Sequence, residues 1–171
     1  MARHRRSRRY YRKRGVWSSR IQELNISETA AAGTNFFIQR DLVENPVQSD
    51  SNISQKFTVK NMRAELEAQI TTTNPAAVNF IRAYIMFVPQ GVTVNASLPL
   101  NHPEWIMAYR WIGSATLNTT PYFPALRLGS RLARNLDTGD RITFLIIGEN
   151  SDIQATGLNC NGLVRYNTKA N

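Results

Sequence analysis

Residues 61–70, Asn61-Met62-Arg63-Ala64-Glu65-Leu66-Glu67-Ala68-Gln69-Ile70, alternate polar and apolar side chains without a break. Successive side chains of a strand point to opposite faces, so this stretch turns Met62, Ala64, Leu66, Ala68 and Ile70 to one side and every polar residue to the other. A helix competes on propensity, because Ala, Glu, Leu and Met are good helix formers. Its apolar face through Met62, Leu66 and Ile70 would also collect Glu65 and Gln69, which the strand leaves in solvent. The stretch reads as a half-buried strand.

Outward from it, residues 79–88 (NFIRAYIMFV) and 141–148 (RITFLIIG) are β-branched and aromatic on both faces, the composition of central strands covered on both sides. Pro89-Gln90-Gly91 ends the first. Shorter strands are expected over 20–28, 34–42, 106–113, 126–134 and 160–168, punctuated by Gly33, Asn45-Pro46, Asn74-Pro75, Pro121, Pro124 and Gly139. With 56–71 these make eight. The Asn101-His102-Pro103-Glu104 sequence can open a short helix with proline at its first position. No strand is regularly followed by a helix-period segment, which disfavours α/β folds. A two-sheet antiparallel sandwich remains, for which jelly-roll and immunoglobulin-like topologies both qualify.

The 171 residues carry 21 Lys plus Arg against 12 Asp plus Glu, a formal charge of +9. Nine of the cations (Arg3, Arg5, Arg6, Arg8, Arg9, Arg12, Lys13, Arg14 and Arg20) fall in residues 1–20, which hold no acid, so 12 basic and 12 acidic residues remain in 21–171. The whole net charge sits in the first 20 residues. A like-charge block with almost nothing to bury is expected to be disordered, giving a basic arm over 1–16 and a folded body over 17–171. At ~3.3 Å per extended residue, 20 residues reach roughly 60 Å.

Arginine forks grip phosphates bidentately, and Tyr10, Tyr11 and Trp17 offer stacking surfaces for unpaired bases, so the arm points to single-stranded nucleic acid. Counterion release is independent of sequence, and the expected action is condensation rather than base reading. A solvated tail or only a nuclear localisation signal is the alternative reading, and the binding and localisation roles are compatible. Arg127, Arg131, Arg134 and Arg141 form a second basic cluster, in which Arg127 and Arg131 share a strand face and are candidates for a further nucleic-acid surface. Asp137 and Asp140 lie close by in sequence and offer an alternative pairing around a turn.

Other chemistry has little to stand on. The two histidines are His4 in the arm and His102, and HPEW lacks the spacing of a zinc-binding HExxH. A lone buried Cys160 and a turn histidine explain these residues without catalysis, so no enzyme activity and no cofactor are expected. Asp137, Asp140, Glu149 and Asp152 lack EF-hand spacing, and no metal is expected. The longest apolar run, Ala83–Val88, is far short of the roughly 18 residues of a membrane span, and no membrane partner is expected. The N-terminus lacks the apolar core of a signal peptide, which argues against secretion and leaves the Asn25, Asn52, Asn95 and Asn118 sequons as Asn/Thr-rich composition.

MARHRRSRRYYRKRG followed directly by a strand-rich body resembles the small single-jelly-roll capsid proteins of circovirus-like circular single-stranded DNA viruses. FIRAYIMFVPQG, HPEWIMAYRWIG and LDTGDRITFLIIGEN look like strand and turn segments of such capsids, and satellite-virus coat proteins share the layout at similar size. The resemblance implies an eight-stranded antiparallel jelly-roll sandwich whose copies close into an icosahedral shell while the arms bind a packaged genome. The expected partners are then the chain itself, in about 60 copies, and single-stranded nucleic acid, DNA before RNA. The places are the virion and, during assembly, the host nucleus. Such a shell supplies about 540 positive charges from residues 1–20, against one negative charge per nucleotide. A monomeric RNA-binding or ribosomal-type protein is the competing class, but no RNP, KH or zinc-knuckle signature is present and the body has no net positive charge.

Overall fold

The computed structural model describes residues 16–46, 56–71, 78–113, 126–150 and 155–170. These form β1 (Ser18–Ala30), β2 (Phe36–Glu44), β3 (Phe57–Thr71), β4 (Val78–Val88), β5 (Ile106–Gly113), β6 (Leu126–Ser130), β7 (Arg134–Leu136), β8 (Arg141–Asn150) and β9 (Thr156–Ala170). All pairings are antiparallel. Sheet 1 runs β1-β9-β3-β6, with β7 also on β3, and sheet 2 runs β2-β8-β4-β5. The chain thus crosses between sheets at most connections. An immunoglobulin-type sandwich of strands A to G orders its sheets ABED and CFG, with the first and last strands in different sheets, whereas here the first and last strands pair along their length and β2 lies beside β8. This order is a jelly roll.

The alternation quoted above sits in β3, with Met62, Ala64, Leu66, Ala68 and Ile70 all buried. Val59 is buried too, three residues before Met62 and therefore out of phase. The register reconciles them: β3 advances from Lys60 to Arg63 while β9 steps from Asn167 to Arg165, which inserts one extra residue as a β-bulge. Asn61 takes φ of 53° there, a left-handed conformation that Asn tolerates better than most side chains. The expected strand 126–134 divides at the same level. β6 pairs with Met62–Leu66 above the bulge and β7 with Phe57–Val59 below it, so two short strands replace the single one.

The main core lies between the sheets, where Leu24, Ile26, Leu66, Ile85, Phe144, Ile146 and Leu158 pack together. A second cluster forms outside sheet 2, because the β4–β5 connection folds back and lays Val94 and Leu98 on Tyr84, Met86 and Leu145. That is why β4 and β8 are apolar on both faces. The connection carries a short helix α1 (Leu98–Asn101) and a 3-10 turn over Pro103–Trp105 with proline at its first position. The His102 ring stacks on Trp105 at 3.8 Å between centroids and 5° between planes. Burial holds the connection at one end, and two arginines clamp its backbone: Arg141 Nη2 donates to the Val92 carbonyl at 2.9 Å and Arg134 Nη2 to that of Glu104 at 2.8 Å.

Candidate nucleic-acid interface

Sheet 1 turns one face to the core and the other to solvent, and its register lays the solvent face out in rows. One row reads Ile21, Arg165, Arg63 and Gly129 across β1, β9, β3 and β6. The next reads Glu23, Leu163, Glu65 and Arg127, and beyond it Asn25, Asn161 and Glu67 follow. In the other direction, toward the start of β1, Lys60 lies opposite Asn167 and Lys169 opposite Thr58. The cations Lys60, Arg63, Arg165 and Lys169 therefore gather at the end of the sheet where β1 begins, and Glu23, Glu65 and Glu67 occupy the other half.

Three features mark the basic end. Arg63 and Arg165 are direct cross-strand partners, an arrangement that like charges destabilise. Among the described residues no carboxylate lies within ion-pair distance of either. Beside them, Asn61, Met62, Arg63, Gly129, Ser130 and Arg131 line a depression of about 360 Å³. Trp17, at the root of the arm, lies under the Lys60 ammonium, 3.8 Å from its ring centre.

The binding residues expected from sequence fall in four different settings. Arg3, Arg5, Arg6, Arg8, Arg9, Tyr10, Tyr11, Arg12, Lys13 and Arg14 lie outside the described residues. Arg131 is exposed and lines the depression with Arg63. Arg127 is exposed as well, but it stands opposite Glu65 in a neighbouring hollow of about 400 Å³ that also contains Glu67, so its surroundings are mixed in charge. Arg20 stands apart. It pairs with Tyr166, whose ring packs against the core, and by alternation shares the face of Leu24 rather than that of Arg63. Burial pushes the Tyr166 hydroxyl up and the Arg20 charge pulls against it.

Arg134 and Arg141 are occupied by the loop clamp. The turn acids do not neutralise Arg127 or Arg131 either: Asp137 pairs with Lys56 at 2.9 Å, and the Asp140 carboxylate accepts the Gln90 and Asp137 amides at 3.0 and 2.9 Å. Arg63, Arg165, Lys60 and Lys169 were not singled out from sequence. Arg63 shows there only as one polar residue in an alternating strand, and nothing in the sequence reveals that Arg165 will face it.

Cys160 and His102 do not come together. Cys160 is fully buried between the sheets, which pushes its thiol up to about 12, while His102 lies on the connection outside sheet 2. Among the described residues no three His, Cys, Asp or Glu side chains are grouped to hold a metal ion. Asp152 lies outside them.

No family model and no curated protein matches the chain. Its likeness is to viral coat structures. Among solved structures it is similar to maize chlorotic mottle virus, with 9% identity, a TM-score of 0.43, and coverage of 89% of this chain and 94% of that one. Desmodium yellow mottle tymovirus follows at 9% identity and a TM-score of 0.36, covering 90% of each chain. A BFDV capsid protein solved as a 60-mer has 12% identity and a TM-score of 0.25, over 89% of this chain and 94% of that one. The jelly-roll assignment itself rests on the strand order of this chain.

Proposed function

We propose that the chain is a viral coat protein that self-assembles into a small closed shell of about 60 copies and packages a single-stranded genome, DNA in preference to RNA, through its basic arm over 1–16. The observation that carries the reading is the division of charge, with nine cations in the first 20 residues and a balanced 12 and 12 in the rest. Balanced bodies can pack against one another without accumulating repulsion, while the arms concentrate charge where a polyanion needs it. The jelly-roll body supplies a rigid brick for such packing.

A surface suited to self-association lies on sheet 2. Phe37, Ile147, Arg82 and Trp111 form one row across β2, β8, β4 and β5, and Tyr109 stands in the next. Phe37, Tyr109 and Trp111 are 41, 52 and 54% exposed. Aromatic side chains with an arginine among them are the composition of interface centres. The arm, of the type that also serves as a nuclear localisation signal, fits assembly in a host nucleus and residence in the virion.

Light scattering and negative-stain microscopy of the full-length protein, with and without single-stranded DNA, test the reading. Closed particles are the expected result. A stable monomer at high concentration across salt conditions would overturn it in favour of a monomeric RNA-binding protein. Deleting residues 1–14 removes eight cations and should abolish most nucleic-acid affinity while the body stays folded.

A further inference from the structure

We propose that the Arg63–Arg165 pair and the depression beside it, flanked by Arg131, form a fixed phosphate-binding site for single-stranded nucleic acid on the body, separate from the arm. The choice of ligand rests on the packaging reading; the anion chemistry does not. Two arginines placed face to face across a ladder repel each other, and a protein that gained nothing from the pair would do better with a neutral residue at either position. No described carboxylate lies within ion-pair distance of them: Glu23 and Glu65 stand in the next row, both opposite Leu163, and Glu65 also faces Arg127. A bound phosphodiester would turn the repulsion into bidentate contacts from two planar forks.

The surroundings favour a strand over a free ion. The depression of about 360 Å³ beside Arg63 and Arg131 is in the size range of ligand clefts, and Ser130 adds a hydroxyl to its lining. Lys60 and Lys169 continue the positive charge along the sheet toward the root of the arm, where Trp17 is still 37% exposed under Lys60. Cations following one line with an aromatic ring beside them are the elements of a single-strand groove. The placement makes sheet 1 the face turned to the packaged strand, contiguous with the arm.

The test uses the full-length protein and a fluorescein-labelled dT20 strand, with binding followed against salt concentration. In R63Q/R165Q the slope of log affinity against log salt should shrink by about 1.4, close to 0.7 for each lost phosphate contact. R131Q should remove about half as much. R110Q, an exposed arginine on β5 of the other sheet, should leave the slope unchanged. The thermal midpoint of nucleic-acid-free R63Q/R165Q should rise by about 2 °C, because the repulsion is gone. An unchanged slope with a lowered midpoint would make the pair structural and overturn the site. So would an unchanged slope accompanied by loss of binding to a heparin oligosaccharide, which would assign the face to a sulfated glycan. Particle formation is scored separately: a reduced slope without particles retains the site and removes the coat reading, and particles with an unchanged slope do the reverse.

Discussion

Arg134 reaches across from β7 and donates from Nη2 to the Glu104 carbonyl at 2.8 Å, while its guanidinium lies 5.7 Å from the centre of the Phe87 ring. An arginine from a basic cluster is thus committed to holding the β4–β5 connection over sheet 2. Replacing it with methionine keeps much of the stem packing and removes the charged hydrogen bond, with an expected loss of about 1–3 kcal/mol of stability. The urea midpoint should fall and the salt slope of nucleic-acid binding should not change. A weakened slope at unchanged stability would place Arg134 on the binding surface instead.

Cys160 gives the protein an alkaline limit. Burial pushes its thiol up to about 12, whereas an exposed thiol loses its proton near ~8.5. Between these values the unfolded chain holds fewer protons than the folded one, so stability is full below the unfolded value and falls as pH rises, by up to ~1.4 kcal/mol per pH unit. Burial raises Tyr84 and Tyr166 in the same direction and extends the decline above the ordinary tyrosine range. Urea midpoints measured from pH 8 to 10 should drop in the wild type. C160A should flatten the part of that drop that begins below tyrosine ionisation, and an equal drop in both proteins would exclude the thiol as its source.

At Gly162 the backbone of β9 leaves no room for a side chain against β3. A Cβ there would lie 2.7 Å from Leu66 Cα and 2.8 Å from Leu66 Cδ2, and the backbone of a central strand pair cannot give way cheaply. G162A should cost about 1–3 kcal/mol, read as a lower thermal midpoint. Gly129 provides the contrast, since the nearest atom to an added Cβ is the Met62 carbonyl oxygen at 3.9 Å. G129A should leave the midpoint unchanged within error. If both variants behave alike, the close approach is not what requires glycine at 162.

The alternation in 61–70, the doubly apolar segments in β4 and β8, and the proline-started turn at Pro103 were all legible because each is written in a local period or a single residue. The topology was not written in any such period, and the jelly roll came only through the resemblance to capsid proteins. Choosing between jelly roll and immunoglobulin-like sandwiches needs to know that β1 pairs with β9 and β2 with β8, contacts that join distant segments and leave no local pattern. The bulge at Asn61 escaped for a related reason: Val59 and Met62 each fit period two, and only the pairing shows the phase change between them. The same limit hid the Arg63–Arg165 pair, and it left Arg134 and Arg141 indistinguishable from Arg131. Charge is visible in sequence, but the carbonyl that consumes it is not.

The aromatic row on sheet 2 separates assembly from nucleic-acid binding. Trp111 stands on β5, an edge strand, opposite Arg82, and Tyr109 packs its ring on Tyr84 at 5.0 Å and 35°. Because Trp111 and Tyr109 are more than half exposed, W111E/Y109E removes little from the core, and the thermal midpoint of the isolated chain should stay close to wild type. In the proposed shell a subunit contact is repeated around the whole particle. The loss of even about 2 kcal/mol per contact, typical of an interface hot spot, should therefore suppress particles altogether. Sedimentation should show W111E/Y109E as small species while dT20 binding keeps the wild-type salt slope, since the arm and sheet 1 are untouched. Particles of normal size in this variant would mean that the shell is closed by another surface, and that the exposed aromatics face something other than a second copy.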